Sequence, residues 1–244
     1  MFNIVICEMK KLKRIWIFLI IGVFVLIKGS AIPLNLDTIK SADEYYTWVN
    51  MGVFSYGFLG AINILTAYLI IMEFNNNTFV NMVTYKCERW KIFLAKIITV
   101  MIISLLLYIL EFAMLSLLTF ISFKETLTLG VLTKHFYITL KAFIFQMLMI
   151  TVTACLALVS QNIIVPIMYI AMQLIASFLF LFYSQVRAFI PFPLPVVSNL
   201  MLIKDNYRFL KDISIMPSNV IIAVMMFILG IIYGCWYISR MEVE

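Results

Sequence analysis

Charge is scarce in this chain. Asp, Glu, Lys and Arg make up 12% of 244 residues, about half the share found in an ordinary soluble domain. With 64% hydrophobic residues and a mean hydropathy of +1.07, the composition suits lipid as solvent. Histidine is nearly missing: His135 stands alone, which rules out H-E-x-x-H and most multi-histidine metal sites and leaves His135 as an outer-interface residue. None of the eight glycines precedes a lysine, so the chain has no P-loop and cannot hold ATP in that way. Nor do the apolar stretches carry a nucleophile–base pair or a carboxylate cluster, and an enzyme is not expected.

Long apolar runs are what the sequence has instead. A hydrocarbon core about 30 Å thick needs roughly 20 apolar residues per helix, and six runs meet that need: Ile15 to Leu36, Val49 to Met72, Ile92 to Phe123, Ile138 to Val159, Ile163 to Tyr183 and Asn219 to Ile238. The first is the weakest, since Lys28, Gly29 and Pro33 interrupt it; Lys28 can snorkel to a headgroup. A secretory signal peptide is the alternative for that run, with an uncleaved anchor favoured. Barrel strands are excluded because the runs do not alternate. The expectation is an all-α, polytopic membrane protein with six transmembrane helices, in which residues 1–244 form a single transmembrane domain.

Lys10, Lys11, Lys13 and Arg14 precede the first run, which places the N-terminus in the cytoplasm by the positive-inside rule, and six spans return the C-terminus to that side. Cys7 and Cys87 then fall in cytoplasmic segments, Cys155 and Cys235 in inner half-spans, and no disulfide is expected. The net charge of +6 reads as attraction to anionic lipid, with no nucleic-acid partner.

Three connecting segments carry local patterns. Residues 1–14 set Phe2, Val5, Ile6, Met9 and Leu12 at helical spacing, predicting an interfacial amphipathic helix. Asp37 to Trp48 reads as an outer loop whose Tyr45, Tyr46 and Trp48 join the aromatic belt. Residues 185–218 hold Pro191, Pro193 and Pro195, which break any continuous helix; after them Ser198 can cap a short outer helix through Leu210. Inside the spans, Glu111 is the one deep carboxylate, and it should face protein or be protonated. Lys141 is one possible partner, Gln146 or Gln173 another. Gly57 to Ala61 and Gly230 to Gly234 have the small-x-x-x-small spacing that lets helix backbones approach.

The one substantial cytoplasmic loop is residues 73–91. It starts at Glu73, offers Asn77 or Thr78 as an N-cap, and then sets Phe79, Met82, Val83 and Lys86 on one helical face. Glu73, the Asn77–Thr78 step, Arg89 and, seven residues on, Lys96 make the chain resemble the six-helix permease of type-2 ABC exporters, especially small Gram-positive permeases for antimicrobial or toxic peptides. It departs from that pattern in having Asn77 where the family has glycine and in lacking a proline before Arg89.

The resemblance implies a coupling helix within 73–91 gripped by a separate ATP-binding subunit, with Glu73, Asn77, Thr78, Phe79, Tyr85 and Arg89 as contacts. It also implies two such ATPase subunits that carry ATP and Mg, no cofactor on this chain, a second identical or paralogous permease, and a bacterial plasma membrane as the setting. Many aromatics and few buried polar groups suit an amphipathic peptide as cargo. The alternatives are a gradient-driven secondary transporter using Glu111 and a membrane scaffold or sensor partner without transport.

Overall fold

A computed structural model describes residues 2–11, 39–75, 88–179, 189–201 and 214–241. The first apolar run, Asn77, Thr78, Phe79 and Tyr85, and the stretch from 202 to 213 lie outside the described residues.

Within them every regular element is helical. In chain order these are α1 (Phe2–Lys11), α2 (Ala42–Val49), a π-helix π1 (Asn50–Gly57), α3 (Phe58–Asn75), α4 (Arg89–Ser122), α5 (Leu129–Ser160), α6 (Ile164–Leu179), α7 (Leu194–Leu200) and α8 (Pro217–Arg240). Four stretches are long and apolar enough to cross a membrane: Ala42–Phe74, Arg89–Ser122, Leu129–Ser160 and Pro217–Arg240, with Ile164–Leu179 a shorter apolar helix. They match the second to sixth predicted runs in place. Away from their ends the exposed side chains are largely apolar, as lipid contact requires: Ile221, Met225, Ile228, Ile232 and Trp236 on α8 are examples.

The second span begins earlier than the hydropathy pattern indicates. Residues 42–49 are helix, not outer loop, because Ser41 caps it: its hydroxyl accepts from the Glu44 amide at 3.3 Å while the Glu44 carboxylate accepts from the Lys40 amide at 2.9 Å, a close relative of the capping box. Tyr45 and Tyr46 are consequently core residues with no exposure, and only Trp48 keeps the expected outward position. Tyr45 packs 5.6 Å from the Phe123 ring and the Tyr46 hydroxyl donates to Ser116 at 3.0 Å.

π1 then widens the helix in mid-span, and such a turn releases carbonyls that must find donors where lipid supplies none. They do. The Asn50 carbonyl accepts from the Ser55 hydroxyl at 3.0 Å and from Asn199 Nδ2 at 3.2 Å; the Phe54 carbonyl accepts from Gln146 Nε2 at 2.9 Å. Around it Phe54 stacks on Phe58, and Tyr108 contacts both rings.

The α5–α6 connection is short because Gln161 takes a left-handed conformation, φ 50°, and its amide closes on the Ala157 carbonyl, a common helix ending. Pro166 sits in the first turn of α6, where it costs no hydrogen bond. The same rule corrects the outer helix. Ser198 does not start it; α7 begins at Leu194, with Pro193 as cap and Pro195 in its first turn, and the Ser198 hydroxyl bonds back to the Pro195 carbonyl. α7 is buried along its whole length, wedged between π1 and the α5–α8 pair through Leu194, Met149 and Ala223.

Candidate functional site

At the end of the bundle where α1 and the last turn of α8 both lie, here called the base, four charged side chains meet. Lys96 of α4 reaches Glu73 Oε1 at 2.8 Å and Glu8 Oε2 at 3.1 Å. Lys11 of α1 reaches Glu73 Oε1 at 2.8 Å and Glu8 Oε1 at 2.6 Å. The Lys96 ammonium also donates to the Leu69 carbonyl at 2.8 Å. Glu8, Glu73 and Lys96 are each at most 4% exposed, and the charges balance two against two.

Balance is what makes the burial tolerable, since an unpaired charge in such a place is costly. Burial alone would raise the Glu8 pKa, but the neighbouring ammoniums of Lys96 and Lys11 outweigh it and hold the carboxyl below its usual range. For Lys11, burial works downward and is overcome by the hydrogen bonds to Glu73 and Glu8, leaving the ammonium above the ordinary lysine range. Glu8 and Lys11 are therefore charged at neutral pH.

The cluster brackets the 73–91 connection. Glu73 is near the end of α3, where that connection begins, and Lys96 is two turns into α4, where it ends. Sequence reasoning singled out Glu73 and Lys96 but missed Glu8 and Lys11. Their i,i+3 spacing was the available signal, and it was hidden by an assignment of α1 to the lipid interface. In the structure Val5 and Glu8 are the buried residues of α1, while Ile6 and Met9 are exposed. Docking onto α4 thus sets the orientation of α1.

Arg89 is not part of this cluster. Its guanidinium donates through Nη1 to the carbonyl of Met241, just past the end of α8. Glu111 is buried at 1% exposure, within electrostatic reach of Tyr45. Lys141 places its ammonium 4.3 Å from the Tyr137 ring centroid. Gln146 is occupied by Tyr108, whose hydroxyl donates to it at 2.6 Å, and Gln173 accepts from Asn63 at 3.3 Å.

At the opposite end His135 is buried within the bundle. Its Nε2 lies 2.9 Å from Asp43 and its Nδ1 2.9 Å from Asn50 Nδ2, while Thr139 donates to Asn50 Oδ1 at 3.1 Å and Tyr46 stacks on the ring at 4.8 Å. The acceptor and donor roles close without a proton gained if Nε2–H donates to Asp43. Between the two ends, Thr153 donates to Asn63 at 2.7 Å. Among the described residues no three of His, Cys, Asp and Glu are placed to hold a metal ion, and Cys7, Cys155 and Cys235 are free thiols.

Residues 4–182, well over half the chain, match the family described as ABC-2 family transporter protein. The chain belongs to that family, as the Glu73, Arg89 and Lys96 pattern implies, and is a membrane-embedded permease of the kind that associates with ABC ATP-binding subunits. A comparison with curated proteins returns no match.

Proposed function

We propose that this chain is the permease subunit of an ATP-driven exporter of amphipathic, membrane-active peptides, with residues 73–91 as the segment its motor grips. The reading rests on the Glu8–Lys11–Glu73–Lys96 cluster, which ties both ends of that connection and the N-terminal helix into one unit. A push on the connection then reaches α3, α4 and α1 together. Asn77, Thr78, Phe79 and Tyr85 supply the contact surface, ATP and Mg reside on two partner subunits, and a second identical or paralogous permease completes the route. The base with both termini faces the cytoplasm of a bacterial cell.

For the cargo, α6 offers an open apolar groove of roughly 560 Å³ lined by Met168, Met172, Ile175, Leu179 and Phe192. Methionines adapt to varied apolar shapes, which suits a peptide drawn from the bilayer better than a sugar or an ion.

Purification of the tagged permease from its native membrane tests the reading. The expected result is an ATP-binding protein retained in equal number to permease chains, and its release when Phe79 and Tyr85 are both changed to Ser. A functional transporter that purifies without any nucleotide hydrolase favours instead a gradient-driven carrier working through the buried Glu111.

A further inference from the structure

Arg89 has the position of a motor contact at the start of α4, yet its guanidinium is spent inside the chain. The last carbonyls of any helix lack intrahelical partners and carry the negative end of its dipole. α8 ends at Arg240, and the Met241 carbonyl just beyond it accepts from Arg89. Arg240, the basic residue in the last turn of α8, does not do this work; its guanidinium lies over the Trp236 ring at 4.9 Å.

One turn further along α4, the contact between the two helices tightens. Phe93 is fully buried and its ring lies against Gly234 of α8, where an added Cβ would come within 2.3 Å of Phe93 Cζ. Only glycine permits that approach. Higher on α8, a Cβ at Gly230 would meet Thr151 of α5 at 2.7 Å, and the Cys155 thiol donates to the Gly230 carbonyl at 3.1 Å. The base of α8 is keyed to α4 at two successive levels, an ionic cap and a ring-on-backbone contact.

We infer that Arg89 is a positioning residue acting within this chain: by capping α8 it makes the bases of α4 and α8 a single moving part. The inference rests on the proposed function only for the source of the movement. Any displacement of the 73–91 connection that shifts Arg89 carries α8 with it, so the last span follows the motor without touching it.

A double-mutant cycle on the full-length permease in lipid nanodiscs tests this. Arg89→Ala, deletion of residues 241–244, and the two combined are compared by unfolding midpoint. Spin labels at the exposed positions Glu88→Cys and Ser239→Cys, in a background with the native cysteines replaced, give the α4–α8 base distance. Each single change is expected to lower the midpoint by roughly 3–8 °C and to broaden the label distance. The combination adds nothing further, because both remove one contact. Arg89→Lys retains part of the effect, and Glu242→Gln with Glu244→Gln leaves both readouts at wild type, which assigns the contact to the backbone carbonyl.

Additive losses, or a label distance unmoved by Arg89→Ala, overturn the inference. If Arg89→Ala instead releases an ATP-binding subunit and leaves the distance unchanged, Arg89 serves the partner: the inference falls while the proposed function stands. If the cycle is non-additive in a permease that binds no ATPase, the reverse holds.

Discussion

Lys96 Nζ lies 2.8 Å from Glu73 Oε1, so a residue near the end of α3 and one two turns into α4 are in direct ionic contact. The end of α3 and the start of α4 are pinned together. Both side chains are buried, and the pair is completed by Glu8 and Lys11 from the start of the chain.

Removing one member of a buried ionic group leaves a charge uncompensated, which costs about 3–5 kcal/mol, whereas removing a matched pair costs far less. Lys96→Met should therefore destabilise the purified protein by that amount, and Lys96→Met with Glu8→Gln should recover much of it. Thermal unfolding in detergent, followed by tryptophan fluorescence, reads both; equal losses in the single and double variants would count against the cluster.

The same groups set a pH window. Glu8 has its folded-state pKa depressed, so its contribution is fully present above the unfolded carboxyl value of about 4.3 and is lost as pH falls through the lower folded value. Lys11 has its pKa raised, so its contribution is present below about 10.4 and is lost as pH rises through the higher folded value. The contribution of these two groups should be flat between these limits. Glu8→Gln should flatten the acid limb, measured as the unfolding midpoint between pH 3 and pH 7.

Two glycines in spans should respond in opposite directions to alanine. At Gly230 the new methyl would stand 2.7 Å from Thr151 Cβ, an overpacking that costs about 1–3 kcal/mol. At Gly60, inside α3, its closest neighbour is Leu174 Cδ1 at 3.9 Å, and alanine should stabilise by about 0.5–1 kcal/mol through helix propensity alone. Midpoint shifts of opposite sign in the two variants are the expected result.

Asn50 is the hinge of the polar network at the far end, giving Nδ2 to His135 and taking the Thr139 hydroxyl on Oδ1. Asn50→Leu should strand both partners in a dry environment at about 1–3 kcal/mol each. Amide hydrogen exchange should then accelerate in π1 before it does in α4. Uniform exchange across both helices would argue that the network does not hold the wide turn in place.

The placement of four membrane-length helices and one shorter apolar helix was legible because apolar length is a local property and needs no partner. Glu73 and Lys96 were legible as members of a family pattern, not as a contact. What brought Glu8 to them was not, because 88 residues separate Glu8 from Lys96 and nothing in the periodicity of α1 distinguishes a face that meets lipid from one that meets protein. π1 escaped for a related reason. Its residues are as apolar as a normal turn, and the wide geometry is paid for by side chains from α4, α5 and α7, seen only once Gln146, Tyr108 and Asn199 are in place. Tyr45 and Tyr46 were assigned to the aromatic belt because residue type says nothing about whether α4 stands in front of them.

α4 has 34 residues and is about 51 Å long at 1.5 Å per residue, well beyond a hydrocarbon layer of about 30 Å. Centred in the bilayer, such a rod keeps some 10 Å clear of the acyl chains at each end, and Lys96 falls at the lower boundary. Membrane thickness then becomes a control on the protein. A thin bilayer leaves the part-exposed Lys11 among headgroups and water, where its attraction to Glu8 and Glu73 is screened, and a thick one draws it toward oil and hardens the lock.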